Sequence, residues 1–212
     1  MIERPGKIVA IGLNYMDHVR ESKAEAPKRP LIFAKFPTAV IGPEEPIRIP
    51  RALTERVDWE VELAAVIGRE ARNVAQDDAL SYVRGYTVGN DVSARDLQFA
   101  DGQWVRGKSL DTFCPLGPEV VELDDPQALA LQTRVNGEVM QDSNTSEMIF
   151  GVAELISFCS HAFTLEPGDV ILTGTPWGCG EFMEPKRSLH DGDVVECEIE
   201  GLGVLRNPVV EV

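Results

Sequence analysis

The sequence is poor in the residues that build zinc fingers and dithiol redox centres. It has three histidines and four cysteines among 212 residues, and no two cysteines form a Cys-x-x-Cys pair. Zinc and redox motifs of the usual spacing are therefore excluded. Since structural disulfides belong to oxidising compartments, we expect a reduced, cytoplasmic protein. The cysteines are Cys114, Cys159, Cys179 and Cys197.

Long apolar runs and basic residues are also scarce. No run approaches the about 18 apolar residues of a membrane span, and residues 1–15 lack the features of a secretion signal. Acidic residues outnumber basic ones by 35 to 20, for a formal net charge of −15. This charge argues against nucleic-acid or anionic-membrane binding. An anionic substrate would also be repelled, unless a metal ion and a few local bases reverse the field at its site.

The chain does contain many short apolar segments. With 43% hydrophobic residues, a chain of this length buries roughly 70% of its unfolded surface, so we predict one domain over residues 1–212. Helices are predicted over 77–84, 93–100 and 148–163, and a short one after an Asn14 cap. Residues 37–50, with four prolines, should be extended. The predicted strands cover residues 7–13, 31–36, 57–68, 86–91, 129–135, 138–141, 170–173, 194–199 and 204–210.

This succession of strands has few helices between them. The Asn136-Gly137 turn between two strands indicates a hairpin. Many short strands favour an α+β fold that is mainly β over a doubly wound sheet.

Three acids stand out. Glu60 and Glu62 alternate with apolar residues, so they share one face of a strand, and Asp91 ends another apolar segment just before a capping-box pattern, Ser93 to Asp96. Three carboxylates without a neighbouring Cys or His suit a hard ion such as Mg²⁺ or Mn²⁺. A solvated strand face is the alternative for Glu60 and Glu62 alone. Asp91 and the residues around it favour the metal site.

Several polar residues lie one helical turn apart. His18 and Glu21 can touch, and a carboxylate that orients an imidazole makes it a competent base for water; a surface contact is the alternative. Arg95 and Gln98 follow Asp91 and are able to face a ligand, or else solvent. The segment from Thr173 to Thr175 offers hydroxyl and backbone N–H groups for a carboxylate, although a plain turn explains it equally well.

The segment from Gly102 to Ser109 (GQWVRGKS) matches the P-loop pattern G-x-x-x-x-G-K-[ST]. A P-loop follows a strand and opens a helix, whereas this segment follows a predicted helix. Pro115, Gly117 and Pro118 lie soon after it, so a helix is not expected to start there. Lys108 therefore needs another role.

Taken together, these residues resemble the fumarylacetoacetate hydrolase family, in its short form, over roughly residues 7–210. Six ordered motifs carry the resemblance: GLNYMDH from Gly12, Lys35 with Pro37-Thr38, DWEVEL from Asp58, GNDVSARDLQ from Gly89, GKSLDT from Gly107, and LTGTP from Leu172. Two residues depart from the family pattern, Phe36 and Cys179.

The resemblance implies a mixed β-sandwich roll and a homodimer. It implies one Mg²⁺ or Mn²⁺ ion on Glu60, Glu62 and Asp91, and a lid-like helix on which His18 and Glu21 activate water. It further implies that a small anionic 2-oxo acid is held by Arg95, Gln98, Lys108 and Thr175, and we assign Tyr15 to substrate binding as well.

Our hypothesis from the sequence is a metal-dependent hydrolase of C–C bonds in acylpyruvates, which are 2,4-dioxo acids, with oxaloacetate decarboxylation as a companion activity. Water deprotonated by His18 would attack the distal carbonyl, and Lys108 or Gln98 would stabilise the oxyanion. One alternative is an isomerase or decarboxylase of 2-hydroxyhepta-2,4-diene-1,7-dioate-type diacids. Others are a nucleotide-binding protein that uses residues 102–109, and a catalytically silent metal-stabilised dimer.

Overall fold

The computed structural model describes residues 4–212, which form two curled sheets and a two-stranded ribbon. The strands are β1 (Ile8–Gly12), β2 (Leu31–Lys35), β3 (Val40–Ile41), β4 (Ile47–Ile49), β5 (Val57–Asp58), β6 (Val61–Ile67), β7 (Val83–Asn90), β8 (Ser93–Ala94), β9 (Cys114–Val121), β10 (Ala130–Val135), β11 (Glu138–Asn144), β12 (Val170–Leu172), β13 (Val194–Ile199) and β14 (Gly203–Glu211). The α-helices are α1 (Met16–Ser22), α2 (Arg95–Ala100), α3 (Val105–Lys108) and α4 (Val152–Ala162).

The large sheet has the order β2-β1-β12-β6-β7-β9-β3, and the second sheet has the order β11-β10-β13-β14-β4. Most neighbours are antiparallel, but β1–β12, β3–β9 and β4–β14 run parallel. The main core lies between the sheets, where Leu63 and Val88 of the large sheet join one apolar cluster with Leu131 and Leu205 of the other. This architecture confirms the predicted mixed β-sandwich roll.

The hairpin between β10 and β11 also confirms its prediction. Asn136 and Gly137 have φ of 53° and 81°, the left-handed pair that a two-residue type I′ turn requires. The strand over residues 194–199 has the predicted bounds. No helix within residues 4–212 is long and apolar enough to cross a membrane.

The strand predicted over residues 57–68 is broken at Trp59 and Glu60. There the backbone N–H groups donate to side chains and not to a neighbouring strand: that of Trp59 to Asp58 Oδ1 and that of Glu60 to Asn90 Oδ1. The acids Glu60 and Glu62 still share a face, but this face is buried. Side-chain competition for backbone donors is not visible in a hydrophobic pattern.

Helix starts were the least accurate predictions. Asn14 does not cap α1, whose N-cap is Tyr15. The side-chain amide of Asn14 donates instead to the carbonyls of Phe150 and Thr173, at 3.0 and 2.7 Å. Its oxygen accepts a hydrogen bond from Phe150 N–H at 2.9 Å. The capping box is also wrong, because Asp96 accepts hydrogen bonds from Thr54 Oγ1 and Glu55 N–H.

Three further segments differ from the predictions. The helix predicted over residues 77–84 is a 3₁₀ helix, Gln76–Tyr82, and residues 83–84 already belong to β7. The helix predicted over 148–163 begins only at Val152, because Ile149 and Phe150 donate their N–H groups to Asn14. The proline-rich segment is mostly extended, but Pro37–Ala39 make one 3₁₀ turn, which proline tolerates at a helix start.

Candidate active site

Three buried carboxylates meet at one end of the β6–β7 pair. Pairing of Val61 with Asn90 places Glu62 on β6 beside the end of β7, and Asp91 N–H donates to Glu60 O at 2.9 Å. Carboxylate oxygens of Glu60, Glu62 and Asp91 all lie within 4.8 Å of one another. The structure thus brings together the three acids that the sequence singled out.

Three cations surround this carboxylate cluster. Lys108 Nζ lies 2.7 Å from Glu60 Oε2 and 2.8 Å from Asp91 Oδ2. Lys35 Nζ donates to the other Asp91 oxygen, and Arg95 Nη1 lies 2.7 Å from Glu60 Oε1. Lys108 and Lys35 are almost fully buried. The cluster therefore attracts positive charge in a largely buried place.

The protonation of the carboxylates follows from these charges. Burial acts to raise the pKa of Glu60, but the charges of Lys108 and Arg95 outweigh it and lower the pKa to about 2. Burial, together with the charges of Asp91 and Glu60, raises the pKa of Glu62 well above its ordinary value. Of the three carboxylates, Glu62 is thus the one whose negative charge is not compensated. A further cation would compensate it.

The donor set fits a hard divalent cation. The oxygen ligands are buried, close together and free of sulfur or imidazole, which is the chemistry that Mg²⁺ and Mn²⁺ select. Gly174 N–H donates to Glu62 Oε2 at 2.8 Å and orients that ligand. Within the Thr173–Thr175 segment, the Gly174 N–H therefore binds a carboxylate of the protein itself, whereas the hydroxyls of Thr173 and Thr175 donate to the backbone carbonyls of Leu63 and Val61.

His18 and Glu21 form a pair beside the cluster. His18 Nδ1 and Glu21 Oε2 are 3.1 Å apart, and Glu21 Oε1 accepts from Gly178 N–H at 2.9 Å. The His18 side chain is 8% exposed, so the surface-contact alternative is wrong. Phe182 packs edge-on against the imidazole with ring centroids 5.3 Å apart. Both contacts fix the ring, and leave Nε2 as the nitrogen for chemistry.

A cavity of about 150 Å³ joins His18 of this pair to the carboxylate cluster. Its polar lining includes Glu60, Glu62 and His18. Its apolar and aromatic lining, which is the larger part, includes Leu13, Phe33, Phe99, Trp104 and Phe182. Such a cavity admits a small acid whose charged end faces the cluster.

The residues predicted to hold substrate divide into two groups. Lys108, Arg95, Gln98 and Thr175 line the cavity. Arg95 and Lys108 also form ion pairs with the carboxylates. They therefore compensate the charge of the candidate metal ligands in addition to facing the cavity. Tyr15 is fully buried and is not among the described residues that line the cavity; burial and the charge of Glu62 raise the pKa of its hydroxyl.

Sequence reasoning missed Asp58 and Lys35 as site residues. Asp58 is buried and accepts from Arg95 Nε at 2.9 Å, so it holds the arginine that holds Glu60. Its position two residues before Glu60 placed it on the same face and could have revealed it. Lys35 was visible as a lone charge closing an apolar strand. Phe36 is 54% exposed and lies outside the cavity lining.

The P-loop interpretation is wrong. Helix α3 ends at Lys108, inside the motif, and residues 109–113 do not continue it. Gly107 packs so closely that a Cβ there would lie 2.7 Å from Gln98 N. The lysine that would reach phosphate is bonded to Glu60 and Asp91.

The fold and this site define a class of mainly β enzymes that act on small acids. The pattern of the fumarylacetoacetate (FAA) hydrolase C-terminal family matches residues 7–210. The chain belongs to the fumarylacetoacetate hydrolase family.

Relatives with several activities share this scaffold. A mitochondrial oxaloacetate tautomerase of Xenopus laevis is 51% identical over 99% of this chain and 67% of its own length. The structure of a 5-carboxymethyl-2-hydroxymuconate delta-isomerase from Mycobacterium smegmatis is 48% identical, with a TM-score of 0.89 over 99% of this chain and 78% of that one. A fumarylacetoacetate hydrolase from Exiguobacterium antarcticum is 43% identical, with a TM-score of 0.92 over 99% and 76%.

Proposed function

We propose that this protein is a divalent-metal-dependent tautomerase of a small 2-oxo acid, with oxaloacetate as the first candidate substrate. The observation that carries the proposal is that His18, whose Nδ1 is bonded to Glu21, lines one small, largely apolar cavity together with Glu60 and Glu62 of the carboxylate cluster. Enol–keto exchange needs a proton donor and acceptor beside a centre that stabilises charge on the ketone oxygen, and it needs no water. The names of relatives about 50% identical support the same reaction.

Charge around the site favours an anionic substrate once a metal is bound. Asp58, Glu60, Glu62 and Asp91 face Lys35, Arg95 and Lys108, so four carboxylates and three cations leave a formal charge of −1. A divalent ion on Glu60, Glu62 and Asp91 would turn this to +1. It would supply Lewis-acid polarisation of the 2-oxo group. This local reversal answers how a chain of charge −15 binds an acid.

The protein's own groups supply the remaining steps. Glu21 holds His18 Nδ1, so Nε2 takes a proton from the substrate or returns it. Arg95 fixes Gln98 by donating to its side-chain carbonyl at 3.0 Å, which leaves the Gln98 amide N–H₂ to bind a substrate oxygen. The aromatic side chains of Phe33 and Trp104 keep bulk water from the carbon that exchanges its proton.

Acylpyruvate hydrolysis is the second candidate. The observation that favours it is the buried His18–Glu21 pair, which is the arrangement that activates a water molecule. Both reactions develop charge at the same ketone oxygen, so the same metal site serves them. They differ in the nucleophile, because tautomerisation uses none.

A substrate panel separates these reactions. Purified protein with Mg²⁺ or Mn²⁺ would be offered enol oxaloacetate, acetylpyruvate and a 2-hydroxyhepta-2,4-diene-1,7-dioate, with loss of enol absorbance and products followed. We expect the fastest turnover for enol oxaloacetate, giving the keto form without pyruvate or CO₂. Faster release of pyruvate from acetylpyruvate would show that the protein's main reaction is hydrolysis and not tautomerisation. Turnover of none of the three would reject both.

A further inference from the structure

A second group of possible metal ligands consists of the catalytic pair and a cysteine. A ring nitrogen of His18, a carboxylate oxygen of Glu21 and the Sγ of Cys179 lie within 4.8 Å of one another. These donors are an imidazole, a carboxylate and a thiol, whereas the carboxylate cluster offers oxygen alone. We propose that His18, Glu21 and Cys179 form a separate site for a borderline cation, Zn²⁺ in the first place, and that a cation bound there inhibits the enzyme.

The geometry is close to what zinc requires. Zn²⁺ binds nitrogen and oxygen ligands at about 2.0–2.1 Å in a tetrahedron, which places two such ligands roughly 3.3 Å apart. His18 Nδ1 and Glu21 Oε2 are already 3.1 Å apart. Three protein ligands leave the fourth position for water, as in open zinc sites. A small shift of the side chains would therefore complete the site.

The thiol is held in place but weakly bonded. The neighbours of Cys179 Sγ are Gln141 Nε2 and Pro176 O, both at 3.8 Å. The loop before it is fixed: Gly178 N–H donates to Glu21, Gly178 O accepts from Trp59 Nε1 at 3.0 Å, and a Cβ on Gly178 would lie 2.1 Å from Met140 O. The sulfur thus has a fixed position and no strong hydrogen bond to give up.

The charge around the thiol favours a cation. Burial, followed by the carboxylates of Glu60, Asp58 and Glu21, raises the pKa of the Cys179 thiol well above its ordinary value, with Arg95 as the opposing charge, so the thiol keeps its proton until a cation displaces it. Arg95 is itself paired with Asp58 and Glu60. Glu21 lies outside the set of charges that a divalent ion on the carboxylate cluster would balance, so its negative charge remains for a cation at this site. Binding breaks the S–H bond, forms a metal–sulfur bond and releases the proton to solvent.

One ligand of the proposed site also faces a cavity other than the substrate cavity. Glu21 also lines a second cavity of about 600 Å³, together with Trp177, Met183 and Arg187. His18 lines the substrate cavity. A cation could reach the His18–Glu21–Cys179 site through the second cavity while Mg²⁺ occupies the carboxylates. It would then remove His18 from proton transfer.

Cobalt and zinc binding test the site without relying on activity. With saturating Mg²⁺ on the carboxylates, Co²⁺ should give a thiolate-to-cobalt charge-transfer absorption in wild type and none in Cys179→Val, which replaces the thiol by an apolar group of similar size. Calorimetry with Zn²⁺ in buffers of different ionisation enthalpy should show a released proton only when the thiol is present. Affinity should fall by more than about 100-fold in the variant, since losing even an outer partner of a ligand costs about 10–100-fold.

Enzyme assays complete the test. In Mg²⁺, added Zn²⁺ should inhibit wild type at low concentration and Cys179→Val only at far higher concentration. If Zn²⁺ inhibits both equally, or if the cobalt spectrum lacks the thiolate band, the proposal is wrong. Should Cys179→Val fail to fold, Cys179→Ser and Glu21→Gln replace it, and both should weaken Zn²⁺ binding. The spectra and calorimetry decide the question even if the tautomerase assignment fails.

Discussion

Lys35 is the residue whose role is most sharply defined by its contacts. Lys35 is 1% exposed and donates a hydrogen bond to Asp91 Oδ1. The ammonium group occupies that oxygen and compensates the negative charge of the Asp91 carboxylate. Removing one partner of a buried ion pair costs about 3–5 kcal/mol. We therefore expect Lys35→Met to lower the free energy of unfolding by about that amount, as measured by urea denaturation with Mg²⁺ absent.

Adding Mg²⁺ distinguishes this account from a simple packing defect. The ion replaces the lost positive charge beside Asp91, so it should raise the stability of Lys35→Met more than that of wild type. The control is Lys186→Met, whose side chain is 60% exposed in its pair with Glu181 and should cost at most about 1 kcal/mol. Equal gains from Mg²⁺ in wild type and Lys35→Met would show that Lys35 does not compensate the metal site.

At the scale of elements, Asn14 anchors the chain directly before helix α1. Asn14 bonds the carbonyls of Phe150 and Thr173 and the N–H of Phe150, and α1 follows directly with His18 and Glu21. Asn14→Ala would leave these groups unpaired, at about 1–3 kcal/mol for a buried group. We expect lower stability in urea and a loss of activity in the folded variant that exceeds any change in Mg²⁺ affinity.

Asn207→Ala serves as the matched control, because Asn207 on β14 is also a buried amide that donates to two backbone carbonyls, those of Gly42 and Glu45, and it makes no contact with α1 in these bonds. It should cost about 1–3 kcal/mol for the unpaired buried groups and keep its activity. If Asn14→Ala retained full activity once folded, then α1 would not depend on this anchor.

Some residues of the candidate site could be predicted from the sequence, and others could not. Glu60, Glu62 and Asp91 were predictable because two-residue spacing places two acids on one strand face and strand pairing brings the third. The His18–Glu21 pair was predictable from one helical turn. The anchoring by Asn14 was not, because it joins residues 136 and 159 positions apart in sequence. Asp58 was missed because its partner, Arg95, comes from a different element.

At the scale of the whole molecule, stability should depend on the divalent ion. Three close carboxylates repel one another until a cation binds, and a ligand that binds only the folded state stabilises it by about 2.7 kcal/mol at 100 times its dissociation constant. Chelation should therefore lower the melting temperature, and Mg²⁺ or Mn²⁺ should restore it. Glu60→Gln should lose most of this response, whereas Glu119→Gln, an exposed acid on β9, should keep it. A response of equal size in both variants would place the ion elsewhere.

The molecule also presents apolar side chains at one edge of the large sheet. Leu31, on the edge strand β2, is 43% exposed, and Phe36 just after it is 54% exposed. We propose a homodimer, in keeping with the resemblance in sequence. Sedimentation equilibrium should give twice the chain mass of 23.3 kDa, and a single-chain mass at working concentrations would reject the dimer.

The most direct test is the rate of enol-to-keto conversion of oxaloacetate by wild type, measured first with Mg²⁺ and then with excess chelator. His18→Ala, measured alongside, should lower the Mg²⁺-supported rate by about 10²–10⁴, the usual loss for a positioned acid–base group. The account predicts that chelation reduces the wild-type rate to the uncatalysed level and that Mg²⁺ or Mn²⁺ restores it. Undiminished conversion in excess chelator, or a His18→Ala rate equal to that of wild type, would contradict it.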